Sequence, residues 1–334
     1  MRRFIFAFCI LLIAALACGG EAQSIPPTPE NSIFDSGKTA YGFFPSPPEA
    51  SLDSIFKLIN QVTLASQNDL EPIFVIDALN GLNRREFIGL PAGWDANFGN
   101  PDVRSAYRNY ALWVVRTFHP RYLGLASEIN TYIDAHPEDV QNFVSLYNEI
   151  YALVKAEAPE TQIFVSFQWD DLNNMFPQPE EGDRQPLQTN WGQIEAFEPN
   201  LDLWVISTYP YFVFPSASNI PADYYTPLLT RTDKPVAIAE SGFSSQAVGF
   251  AQGSPEDQVV YLNAIHTQLG PRLAFWVNTL IDDFNIDSYA EQMKKDGRDP
   301  QDALSLGAFA YIGFRSSDGS PKPALEVWDE FRNR

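Results

Sequence analysis

Lys234-Pro235-Val236-Ala237-Ile238-Ala239-Glu240-Ser241-Gly242-Phe243 is an apolar run that delivers one carboxylate to its C-terminal end. Pro235 and Gly242 punctuate both sides, and Val236 to Ala239 has the length and composition of a strand buried on both faces. A buried parallel strand ending in Glu is a poor core element. It is a good way to hold an acid at the open end of a parallel α/β sheet or barrel, where ligands bind. Tyr122-Leu123-Gly124-Leu125-Ala126-Ser127-Glu128-Ile129-Asn130 repeats the design upstream. Two carboxylates on two strands of one sheet point to paired acid/base work.

Working outward, strand and helix alternate. Thr39 to Phe44 reads as a first strand, and Ser51 caps a helix with Leu52, Ile55, Phe56 and Ile59 on its apolar face. Ile73 to Asp77 is a strand, followed by a loop rich in Gly and Asn (Asn80 to Asn100) and a helix from about Asp102. Helices are expected over 137–158, 191–197, 222–229, 255–269, 303–311 and 324–332, and strands over 163–167, 203–209 and 273–278. Such alternation predicts a parallel sheet with right-handed connections, in the α/β class. The count is seven strands where a closed (β/α)8 ring has eight. Two strands separate those ending in Glu128 and Glu240, so the absent one falls early, between Phe44 and Ile73, where Val62-Thr63-Leu64 is the one candidate for a vestigial strand.

The 334 residues, 45% of them hydrophobic, suffice for one large core. Residues 1–17 read as an export signal: Arg2 and Arg3 precede an apolar run from Phe4 to Ala17, too short to span a bilayer. Cys18, after Ala15-Leu16-Ala17, is a candidate for lipidation at a bacterial lipobox, with Ala15 where that pattern prefers Leu; cleavage after Ala17 without acylation is the alternative. Cys9 lies inside the signal, so no internal disulfide is expected. Residues 18–36, with Pro26, Pro27 and Pro29, then form a tether to a barrel domain over 37–334. The expected location is the bacterial cell envelope through a lipid anchor, or secretion as a soluble protein. The net charge of −20 disfavours nucleic acid and anionic lipid as partners and leaves neutral glycans open.

The motifs Ser127-Glu128-Ile129-Asn130, Ser207-Thr208-Tyr209-Pro210-Tyr211, Ala239-Glu240-Ser241-Gly242 and Phe275-Trp276, in this order at strand ends, resemble those of the clan A glycoside hydrolases. These are retaining (β/α)8-barrel enzymes, and the family-53 endo-galactanases are the most similar in their Glu-Ile-Asn-like motif. The resemblance covers roughly residues 107–278. It implies Glu128 as acid/base, Glu240 as nucleophile and Tyr209 as the tyrosine that orients the nucleophile. It also implies a sugar stacked on Trp276. Where the clan places Asn before the acid/base, this chain has Ser127, which could reach a sugar 2-hydroxyl only through water; Asn130 could supply the lost amide or cap the following turn. Asp77, Trp169 and Tyr211 complete the substrate-binding candidates. Trp169, Phe176, Trp191, Phe212 and Phe214, like Tyr211, sit in segments after strands, where they serve either sugar subsites or loop packing.

Few positive charges flank either glutamate strand, so a purely structural ion pair has no evident partner. The histidines His119, His136 and His266 lack ligand spacing, and no phosphate loop or nucleophile elbow is present. Asp283 to Asp287 opens like a calcium loop but carries Ser288 and Lys294 at its sixth and twelfth positions, which favours a solvated acidic loop. No metal or other cofactor is expected. The expectation is a monomer that hydrolyses β-linked oligo- or polysaccharides by double displacement. The alternative is a non-catalytic glycan-binding surface lipoprotein on a decayed barrel, favoured by Ser127 and the absent strand; a scaffold without a glycan is a third.

Overall fold

The computed structural model describes residues 70–81, 83–176, 185–295 and 306–332, with scattered positions between 62 and 67. The strands are β1 (Ile73–Val75), β2 (Leu79–Asn80), β3 (Asn83–Phe87), β4 (Tyr122–Gly124), β5 (Gln162–Phe164), β6 (Ser166–Gln168), β7 (Trp204–Thr208), β8 (Val236–Ser241) and β9 (Leu273–Trp276). β1, β4 and β5 pair in parallel, as do β6, β7, β8 and β9. β5 and β6 are one extended segment interrupted only at Val165, so six consecutive parallel positions run from β1 to β9.

This sheet curls on itself. In a flat sheet β4 and β9, four positions apart, would stand about 19 Å from each other. Instead the ring of Tyr122 on β4 meets that of Phe275 on β9 at 4.9 Å. Ile73, Tyr122, Phe164, Leu203, Val205, Ala237, Ala239, Phe275 and Val277 form one buried cluster, to which every position of the arc contributes. That cluster is the interior of a barrel, filled by side chains as a packed core. Gly124 is part of the fit: a Cβ there would lie 2.8 Å from the Phe164 ring.

The alternate residues of each strand face outward, under the helices. Helix Pro101–Phe118 starts at Asn100, whose side chain accepts from the Asp102 N–H, with Pro101 in the first turn. Ser254 does the same for helix Pro255–Leu269 by accepting from Asp257. Helices Val140–Glu157 and Pro323–Arg332 complete the longer elements of this layer.

Several readings of the sequence need correction. The Asn80 to Asn100 stretch is not all loop, because β2 and β3 pair in an antiparallel hairpin. Val62 and Thr63 are helical, so they supply no vestigial strand. Ile286–Lys295 is a helix, and its preceding Asp283 is buried rather than solvated. Of the helix expected over 303–311, the described part is a short 3-10 turn, Leu306–Phe309. The first strand, the Ser51 helix, the export signal, the tether and Cys18 lie outside the described residues.

Two irregularities decide what points into the barrel. Between β7 and β8, Ile206 pairs with Ile238 but Ser207 pairs with Glu240, so Ala239 is an extra residue. Such a bulge shifts the alternation by one and re-aims the side chains beyond it. Ala237 and Ala239 face the interior, and the bulge brings Glu240 to that face as well. Between β8 and β9, Val236 pairs with Leu273 and Ile238 with Trp276, so β9 carries the extra residue.

Candidate active site

The C-terminal ends of the strands bring a set of polar side chains over the apolar interior. Asp77 follows β1 at the same parity as Ile73 and Val75, Ser127 and Glu128 follow β4, Ser207 is the last residue but one of β7, Tyr209 follows that strand, and Glu240 stands near the end of β8. The β2–β3 hairpin contributes Arg84, which is 7% exposed.

Arg84 is the hub. Its Nη1 donates to Asp77 Oδ2 in a tight ion pair. Its Nε lies 3.6 Å from Glu128 Oε2 and its Nη2 lies 3.7 Å from Glu240 Oε1. One planar guanidinium therefore touches both glutamates, which holds their carboxyl groups within roughly 10 Å of each other. Arg84 is the cation the sequence seemed to lack. The chain places it between the two glutamates in space but far from both in sequence, and the Asn80-Gly81 turn pair was the one available hint of a hairpin there.

Two serines cross-link the pair. Ser127, next to Glu128 in sequence, donates through Oγ to Glu240 Oε1 at 2.7 Å. Ser207, the register partner of Glu240, donates to Glu128 Oε1 at 2.5 Å. Each carboxylate is thus held by a hydroxyl from the surroundings of the other. The sequence reading missed Ser207 and directed Ser127 toward a sugar hydroxyl; in the fold Ser127 is turned onto Glu240 instead.

Tyr209 donates to Glu240 Oε2 at 3.1 Å and sits 2.7 Å from Thr279 Oγ1. Thr279 Oγ1 accepts from the Ser241 N–H at 3.1 Å. A hydroxyl that accepts from a backbone donor keeps its own proton to give, so the chain runs from Ser241 N–H to Thr279, to Tyr209 and finally to Glu240.

Burial and neighbouring charges shift several groups of the site. Burial, followed by the charge of Glu240, pushes the Glu128 carboxyl up to about 7 against the opposing pull of Arg84 and the Ser207 hydrogen bond. Burial likewise raises Asp77 to about 6, again opposed by Arg84. Burial tends to lower Arg84, but Asp77, Glu240 and Glu128 together raise it and keep it charged. The Tyr209 hydroxyl is driven well above its ordinary range by burial and by the two glutamates, so it stays a donor.

Glu128 also departs from ordinary backbone geometry. Its φ of 50° and ψ of 43° place it in the left-handed region at the start of helix Ile129–Ala135, and its N–H donates to Ser166 Oγ at 3.0 Å. A non-glycine residue in that region costs of order 1–3 kcal/mol and persists where the surroundings over-determine it.

Four expected substrate contacts do not face this site. Trp276 follows the inward Ala274 and Phe275, so it points outward, donates through Nε1 to Ser241 Oγ at 2.9 Å and packs on Trp328. Trp169 is fully buried against Trp191, Tyr224 and Tyr225. Tyr211 is buried and donates to the Ala308 carbonyl. Asn130 is buried and spends its amide on the Gln168 backbone and Asp171. Phe176, Trp191, Phe212 and Phe214 are half-buried. The acidic segment after β9 is tied internally, Asp282 to Arg315 and Asp283 to Lys322. Among the described residues no group of three or more His, Cys, Asp or Glu side chains is arranged to hold a metal ion.

No protein-family model matches the chain, and no curated protein does. Solved structures do. The exo-beta-1,4-mannosidase Op5Man5 from Opitutaceae bacterium strain TAV5 superposes with a TM-score of 0.60 at 16% identity, over 89% of this chain and 51% of that one. The fold is that of a (β/α)8 barrel. The GH53 catalytic domain of Ignisphaera aggregans gives 0.55 at 13% identity, over 81% and 76% of the two chains. A GH5_18 protein from Bifidobacterium longum subsp. longum in complex with Manb1-4GlcNAc gives 0.57 at 12% identity, over 88% and 67%. The chain spans about half the length of the mannosidase, and the barrel is what it has in common with these glycoside hydrolases.

Proposed function

We propose that this barrel hydrolyses β-linked glycans with retention, Glu128 acting as acid/base and Glu240 as nucleophile. The observation that carries the reading is the shared environment of the two glutamates: both lie against one guanidinium, with hydroxyls crossing from each to the other. A retaining mechanism needs two carboxyls roughly 5–5.5 Å apart, one that donates a proton to the leaving oxygen and one that attacks the anomeric carbon. Glu128, with its carboxyl raised to about 7, suits the proton donor. Glu240, faced by the Ser127 and Tyr209 hydroxyls, suits the attacking carboxylate. Tyr209 orients it, and Asp77 and Arg84 border the sugar.

A panel of 4-nitrophenyl β-glycosides and β-linked oligosaccharides tests the reading. The expected outcome is cleavage with retained anomeric configuration, followed by NMR. Glu240→Ala should lower kcat by about 10⁴-fold or more, with partial rescue by azide, because a small anion can replace the missing nucleophile. Glu128→Ala should lower it by about 10²–10⁴-fold. A second reading, a non-catalytic glycan receptor, draws on Arg84, which in this structure contacts both carboxylates. Binding of oligosaccharides without cleavage of any of them would decide for it.

The protein is proposed to act as a monomer held at the cell envelope by lipid on Cys18. Cys18→Ser should then move it from the membrane fraction to the soluble fraction; an unchanged partition would refute the anchor.

A further inference from the structure

We propose that Asp170 and Thr279 are positioning residues that act through Tyr209 on the orientation of Glu240. The inference rests on the glycosidase reading above.

Asp170 is fully buried and lies in the first turn after β6. Its Oδ2 accepts from the Tyr209 backbone N–H at 3.0 Å and from Gln168 Nε2 at 3.0 Å. Its Oδ1 accepts from the Tyr224 hydroxyl at 2.7 Å, and Thr208 Oγ1 stands 3.4 Å from Oδ2. Among the described residues no Lys or Arg pairs with it, so a carboxylate is held in the interior by hydrogen bonds alone. Burying such a group is costly, and what the charge provides is acceptor strength: hydrogen bonds to an ionised acceptor are about twice as strong as neutral ones. Two of those bonds fall on consecutive residues, Thr208 and Tyr209, where β7 ends and the chain turns into the Pro210–Phe212 turn.

Tyr209 is therefore fixed at both ends. Asp170 holds its backbone, and Thr279 holds its hydroxyl at 2.7 Å with a proton that leaves the tyrosine's own for Glu240. Gln168 and Tyr224 tie Asp170 in turn to β6 and to the segment before helix Thr226–Arg231, so three parts of the barrel rim converge on one aromatic side chain.

The test is a double-mutant cycle on a 4-nitrophenyl β-glycoside that the wild type cleaves. Asp170→Asn should lower kcat by about 10–100-fold with little change in KM, as a misplacement of catalytic groups does. Thr279→Val, isosteric at a half-buried position, should lower it by a smaller factor. In a Tyr209→Phe background both losses should vanish, since the group they act through is gone. Losses that persist undiminished in that background overturn the proposal. If Asp170→Asn fails to fold, Thr279→Val carries the test, and full kcat in that variant overturns it. A wild type that cleaves no member of the panel removes the glycosidase reading and this inference with it, whereas an active wild type with an additive cycle removes the inference alone.

Discussion

Arg84 and Lys322 are both buried cations, 7% and 8% exposed, yet their surroundings differ in kind. Lys322 faces one carboxylate, Asp283, at 2.7 Å, and its remaining protons meet Ser245 Oγ and the Gly313 carbonyl at 2.8 Å, with the Tyr311 carbonyl at 3.3 Å. Charge is balanced and every proton has an acceptor. Arg84 faces three carboxylates, only one at hydrogen-bond distance, and its Nε is buried without a hydrogen-bond partner. The first arrangement staples the start of the last helix to the loops after β8 and β9. The second keeps excess negative charge and an unspent donor over the barrel mouth, which is a poor way to stabilise a fold and a useful way to receive a ligand.

The contrast can be broken by removing each cation. Lys322→Met should cost about 3–5 kcal/mol in urea unfolding, because Asp283 is left buried and unpaired. The folded fraction should retain its kcat. A loss below about 1 kcal/mol, on the scale of an exposed pair, would place Lys322 outside the core in solution.

Arg84→Met should act first on the chemistry. Arg84 lowers the Glu128 carboxyl, so without it the acid form persists to higher pH. The basic limb of kcat/KM, expected near 7 in the wild type from the Glu128 carboxyl, should therefore move upward. A limb that stays in place would mean that Arg84 does not sense Glu128 in solution.

The smallest effect belongs to Glu128→Gln. A carboxyl raised from 4.5 to about 7 in the folded state binds its proton more tightly there than in the unfolded chain. Native stability should thus fall as pH rises from about 4.5 to about 7, with the penalty complete above that window. Gln cannot ionise, so the variant should melt about 2–4 °C above wild type at pH 8 and level with it at pH 4. Equal melting at both values would show Glu128 to be ordinary.

Much of this could be read before folding. Apolar runs ending in Glu128 and Glu240 gave strand positions and the candidate pair, and the helix expected over 255–269 has those bounds in the structure. What escaped depends on tertiary geometry. Arg84 reaches the glutamates only because a hairpin folds over the mouth, and Ser207 faces Glu128 only because the sheet curls. Trp276 was misassigned because its side is set by an irregularity in β9 that composition does not record. Trp169 and Tyr211 look like loop residues in sequence, but each begins or occupies a tight turn packed under its neighbours.

The extra residue at Ala239 has a consequence of its own. Were the strand paired without the bulge, with Ser207 opposite Ala239, every carboxylate, hydroxyl and cation of the site would remain in the sequence, and β8 would still read as an uninterrupted apolar strand. Yet Glu240 would rotate to the side of Ile238, among the outward aliphatic side chains, away from Arg84, Ser127 and Tyr209. It would be a spatial frameshift, in which a strand keeps its spelling and loses its meaning.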